Sequence, residues 1–132
     1  MKKPRAKKPP AAKKIALACA KAAEEKQAVG IIILDMREIS SIADYFVICG
    51  GSSDRQVKAI ADGVIAELAA SGTRCFHSEG WRDCSWLVLD FADVIVHVFQ
   101  EEARERFQIE RLWGDAKKVV KKQSPSTAGK SR

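Results

Sequence analysis

The chain has 132 residues, 46% of them apolar and 30% charged, with 23 Lys or Arg against 17 Asp or Glu and a formal net charge of +6. A length of this order supports one small domain, a single-layer sheet with a few helices, and excludes a multidomain enzyme. No apolar run approaches the roughly 18 residues that a membrane-spanning helix needs, so the sequence reads as a soluble protein.

The charge is unevenly spread. Residues 1–14 carry seven basic side chains and no acid, and residues 117–132 carry six, again without an acid; residues 15–116 hold 10 basic and all 17 acidic side chains, a balance of −7. The body is therefore acidic, which suits a basic protein better than a phosphate backbone. Both lysine-rich ends bury little and read as disordered tails, 1–14 and 117–132, whose charge attracts any polyanion without selecting one, since no aromatic residue stands among the lysines to stack on bases. The first tail lacks the apolar stretch of a secretory signal and the Arg and Ser of an organellar transit peptide, which leaves the cytoplasm.

In chain order, Ala11 to Lys26 places Ile15, Ala16, Cys19, Ala22 and Ala23 at helical spacing and predicts the first helix. Ala28 to Leu34 and Tyr45 to Cys49 are short, β-branched runs that predict central strands, joined by the connection Asp35 to Asp44. Gly50 and Gly51 then end a strand, and Ser53 with Gln56 three residues later makes an S-x-x-Q capping box. Val57, Ile60, Ala61, Val64, Ile65 and Leu68 form the buried stripe of the helix that follows, which stops at Ser71-Gly72. Arg74 to Ser78, Ser85 to Phe91 and Val94 to Phe99 predict three more strands, the last two a hairpin, and Glu101 to Trp113 predicts a closing helix ended by Gly114. The expected fold is thus α/β, a single small domain with a mixed sheet of about five strands and flanking helices in the order α-β-β-α-β-β-β-α.

A two-residue turn at Ala92-Asp93 pairs Phe91 with Val94, Leu89 with Val96 and Leu87 with Val98, a wholly apolar face. The other face pairs Asp90 with Ile95, Val88 with His97 and Trp86 with Phe99, large apolar groups interrupted by an acid and a histidine. Two arrangements fit that second face equally well: an exposed partner-binding patch anchored by Trp86, or a face covered by a helix.

Catalysis finds little support. Gly51-Ser52 ahead of a helix could cradle a phosphate, but magnesium-dependent transfer needs two carboxylates projecting together, and Asp90 and Asp93 straddle a turn. No nucleophile elbow accompanies His77 or His97. Cys19, Cys49, Cys75 and Cys84 form no C-x-x-C pair, and Cys75-x-His77 with Cys84 and His97 lacks the two close ligand pairs of a zinc site; buried reduced thiols explain them better. No metal or cofactor is expected.

Several segments, taken together, closely resemble the Iojap-like ribosomal silencing factor family: Asp44-Tyr45-Phe46-Val47-Ile48, the run Gly51-x-Ser53-x-Arg55 through Asp62, Glu79-Gly80, Trp86 through Phe91, Asp93 through Phe99, and Leu112-Trp113. The likeness spans residues 15–116 in order and leaves out the tails. It implies a topology like that of nucleotidyltransferases without their catalytic acids. It also implies binding to the large ribosomal subunit through its protein number fourteen, blocked joining of the small subunit, repressed translation, and an effect on ribosome biogenesis. Carried over by position, the partner-binding residues are Trp86, Asp90, Phe91 and Asp93, with Leu87 and Phe99 beside them. The tails become candidates for nonspecific ribosomal RNA contact. Large-subunit assembly and a nucleotidyltransferase-like enzyme are the alternative functions, and a homodimer is among the oligomeric states left open. Phe91-Ala92 stands where the family often has Tyr-Gly, and Gln108 replaces an aromatic residue; a primed turn at Ala92 requires positive φ at a residue other than glycine.

Overall fold

The structure, a computed structural model, describes residues 9–107 and 117–122. Helix α1 (Pro9–Glu25) begins with prolines, which the first helical turn tolerates because its N–H groups have no helical acceptor. Ala12, Ala16, Cys19, Ala20 and Ala23 are its buried stripe, while Lys13 and Lys14 point outward. The lysines of residues 9–14 therefore belong to a helix and not to a disordered tail: alanine at the buried positions supplies both helix propensity and a flat packing face. The helix ends in a Schellman arrangement in which Gln27 takes φ 69, Ala28 N–H donates to Ala23 O (3.1 Å) and Gln27 N–H to Glu24 O (2.9 Å).

Strands β1 (Val29–Asp35) and β2 (Tyr45–Gly51) follow, then α2 (Asp54–Ala70), β3 (His77–Glu79), β4 (Trp86–Asp90), β5 (Val94–Gln100), α3 (Glu101–Phe107) and β6 (Lys117–Lys122). The six strands form one mixed sheet in the order β3-β4-β5-β2-β1-β6, in which only β2 and β5 run parallel. Every residue of β2 is buried, as expected of a strand covered on both faces. One face carries Ile31, Ile33, Val47, Leu87, Leu89, Val96 and Val98 against α1 and α2; the other gathers Ile32, Leu34, Met36, Phe46, Ile48, Phe99 and Ala103 of α3.

Ser53 caps α2 as expected, its Oγ accepting from Gln56 N–H at 3.1 Å. The Gln56 side chain reaches one residue beyond the N-cap instead of bonding the Ser53 N–H of a full capping box. Its Oε1 accepts from Ser52 N–H (2.7 Å), and its Nε2 donates to Lys26 O (3.3 Å) and Gln27 O (3.1 Å), tying the start of α2 to the end of α1. The glycines run on within β2, and Gly51 has a packing reason: a Cβ there would press within 3.2–3.3 Å of Val57 and Ile60.

Two further expectations need correction. Residues 117–122, assigned to a disordered tail, form β6, which pairs antiparallel with β1 and makes the sheet six strands wide. The β-branched Val119 packs against the helix-side core, and lysine is tolerated because this is an edge strand. The strand expected over Arg74 to Ser78 is shorter and later, His77–Glu79. The remaining residues of both tails, together with Gln108, Leu112, Trp113 and Gly114, lie outside the described residues.

Candidate partner-binding surface

The β4–β5 hairpin has the expected register: Trp86 pairs with Phe99, Leu87 with Val98, Val88 with His97, Leu89 with Val96 and Asp90 with Ile95. Its turn is closed by Phe91 N–H donating to Val94 O (2.9 Å). Ala92 adopts φ 77, the left-handed conformation the turn demands, although it carries a Cβ. One support for it is Asp90, whose Oδ1 accepts from Ala92 N–H at 2.7 Å. A second fixes the turn from outside: Asp93 O accepts from Asp44 N–H (2.7 Å) and Tyr45 N–H (3.1 Å), so the turn is fastened to the start of the buried central strand.

On the face away from α1 and α2, Trp86 is half-buried. Its ring stacks on Phe99 with centroids 5.0 Å apart, and its Nε1–H donates to His97 Nδ1 at 3.1 Å. Phe46 meets the His97 ring edge-on at 4.6 Å. Burial lowers the His97 pKa from 6.5 to about 4, so its imidazole is neutral at physiological pH.

The six carried-over residues separate by burial. Trp86 and Asp90 are partly exposed and Asp93 is exposed, grouped along one ribbon and its tip. Leu87 (0% exposed), Phe91 (2%) and Phe99 (0%) offer no surface to a partner. Leu87 and Phe91 point into the core beneath the helices, and Phe99 is the shelf under Trp86. They shape the surface from below, which corrects their assignment as contact residues.

Two exposed apolar residues are brought to the same end of the sheet. Ile42 is 75% exposed in the β1–β2 connection, two residues before the Asp44 N–H that bonds Asp93. Phe76 is 62% exposed just ahead of β3, its N–H donating to Asp90 O (2.8 Å), with Arg74 over its ring at 5.6 Å. A lone isoleucine between serine and alanine was the only sequence sign of the first; the second was hidden in a segment taken for a regular strand.

Several of the groups weighed for catalysis are buried or hold local structure. The Asp90 carboxylate is occupied in building the turn. Cys49 is buried and its pKa is pushed up to about 12 by desolvation, and that of Cys19 is pushed up as well, so neither is a thiolate at neutral pH. Cys75 and Cys84 donate to the carbonyls of His77 and Trp81, and His77 pairs with Glu79 at 2.7 Å. Among the described residues no cluster of three or more His, Cys, Asp or Glu could hold a metal ion, and no helix is long and apolar enough to cross a membrane.

Fold and surface together define a small α/β domain with an aromatic platform beside a hydrogen-bonded, acid-bearing turn. Comparison with known proteins gives that class a family. The family described as "Ribosomal silencing factor during starvation" matches residues 9–132, and the chain belongs to it. It is similar to the ribosomal silencing factor RsfS of Bacillus subtilis, 42% identical over 104 residues that make up 79% of this chain and 88% of that protein. A crystal structure of a protein from Chromobacterium violaceum superposes with a TM-score of 0.76 at 34% identity, covering 78% of this chain and 86% of the other. A more distant likeness, 27% identity over 92 residues, is to "Mitochondrial assembly of ribosomal large subunit protein 1" of Mus musculus, of which 40% is covered.

Proposed function

We propose that this chain is a non-enzymatic silencing factor that binds the large ribosomal subunit in the cytoplasm through its protein number fourteen. It occupies the face that the small subunit needs, and so blocks joining and represses translation. The observation that carries this reading is the Trp86–Asp90–Asp93 ribbon in a chain of this family: a half-buried indole on an aromatic shelf, followed by two acids on a turn fastened to the core. A surface already held in one conformation loses little entropy on binding, and its acids suit the basic character usual in ribosomal proteins. Occupancy is the whole mechanism, so no cofactor enters it.

The lysine-bearing β6 lies four strand spacings from β4, roughly 19 Å. That separation allows one edge of the sheet to approach ribosomal RNA phosphates while the other engages protein. An assembly role on the same subunit is the second reading, favoured by the mouse relative's name.

The test is cosedimentation with isolated large subunits over a salt series. Trp86→Ala should weaken binding by about 2 kcal/mol, the loss expected of a buried aromatic anchor. Binding by the variant equal to that of the unmodified chain would remove Trp86 from the interface and this reading with it.

A further inference from the structure

The residue beneath the proposed anchor does more than pack. His97 is 6% exposed, opposite Val88 in the hairpin ladder, with Phe46 edge-on to its ring and Phe99 nearly parallel to it at 6.4 Å. An indole nitrogen can only donate. The 3.1 Å bond from Trp86 Nε1–H to His97 Nδ1 therefore assigns the tautomer: Nδ1 accepts, and the single proton of the neutral ring sits on Nε2. That Nε2 is buried and has no hydrogen-bond partner among the described residues.

The pair thus relocates an unsatisfied donor instead of removing one. With phenylalanine at position 97 the ring packing against Phe46 and Phe99 would be kept, and the half-buried indole could turn its N–H toward water. Histidine instead satisfies the indole and strands its own Nε2–H where water does not reach, a poor exchange for stability alone. What the exchange does secure is direction: an acceptor at a fixed position beneath Trp86 holds the indole in one rotation about its side-chain bonds.

We propose that His97 is a positioning residue, its Nδ1 holding the Trp86 indole in the orientation that meets the basic partner. The inference rests on the function proposed above and adds to it the group that orients the anchor. The low affinity of the buried ring for a second proton keeps Nδ1 an acceptor throughout the neutral range.

Nitrogen NMR of the unmodified protein should find His97 protonated on Nε2 and a coupling across the hydrogen bond from Trp86 Nε1–H to Nδ1; a proton on Nδ1 overturns the proposal. Affinity for isolated large subunits supplies the functional half. His97→Phe, which keeps a ring and loses the acceptor, should weaken binding about tenfold, the size of one lost preorganising hydrogen bond. His97→Asn, whose side-chain carbonyl stands near the place of Nδ1, should stay within about threefold of the unmodified chain, and equal losses in both variants overturn the hydrogen-bond mechanism. In a Trp86→Ala background His97→Phe should have no further effect, because the group it positions is gone; additive losses overturn the proposal. If Trp86→Ala weakens binding and His97→Phe does not, the positioning role falls while the function stands; if Trp86→Ala has no effect, both fall. Should His97→Phe fail to fold, the tautomer measurement on the unmodified protein still decides.

Discussion

Acidification provides a direct probe of the His97 environment. The imidazole has an ordinary pKa of 6.5 in the unfolded chain and one of about 4 in the fold, lowered by desolvation. Between those values the unfolded state binds the proton and the folded state does not, so folding stability falls as pH is lowered from 6.5 toward 4. The rings beside it, Phe46, Trp86 and Phe99, carry no charge to offset an imidazolium. The full gap corresponds to about 3 kcal/mol, of which about 2 kcal/mol is already lost at pH 5. That is a large share of the roughly 5–15 kcal/mol that holds a domain of this size together. The assay is urea denaturation followed by circular dichroism at pH 7, 6 and 5, for the unmodified chain and for His97→Asn. Carboxylates titrate in both proteins, so the difference between the two profiles isolates the histidine. The unmodified chain should lose about 2 kcal/mol more than the variant between pH 7 and pH 5. Parallel profiles would refute the reasoning, because they would mean that the His97 ring accepts a proton as readily in the fold as in the unfolded chain.

Other predictions concern the backbone around the same ribbon. Ala92→Gly should stabilise the protein by about 0.5–1 kcal/mol, the relief of a left-handed alanine less the greater freedom of glycine in the unfolded chain, seen as a higher urea midpoint at unchanged slope. Gly80→Ala should cost about 3 kcal/mol or more in the same titration, since Gly80 has φ 97 and a Cβ there would overlap the Trp86 carbonyl oxygen and crowd Leu87 Cα. A Gly80→Ala protein as stable as the parent would show that the approach of this loop to β4 is not tight.

The hairpin was legible in the sequence because two signals agreed: alternation across Trp86 to Phe99 and a two-residue gap that left one register open. The same alternation already placed Leu87 and Phe91 on the wholly apolar side, and burial under the helices follows that parity. Their assignment as contacts came from the family likeness, which identifies a segment more readily than it tells which of its side chains point outward. Phe99 shares the parity of Trp86 yet is covered by it; which of two stacked rings is uppermost depends on packing that alternation does not encode. Strand β6 was hidden by its composition, since lysines flanking two valines resemble a solvated tail until an unpaired β1 edge is known to await them. The indole-to-imidazole bond was likewise out of reach: residues 86 and 97 are not directly opposite in the ladder, and only rotamers decide whether they meet.

The central claim is that the turn end of the β4–β5 ribbon occupies a surface the small subunit needs. Light scattering of subunit joining, with the unmodified chain and with Asp93→Lys, tests it most directly, because Asp93 is exposed and its replacement should leave the fold intact. The account predicts that the unmodified chain suppresses joining and that the charge-reversed chain restores it. Joining that proceeds unhindered in the presence of the unmodified chain, or that is suppressed equally by both, would contradict it.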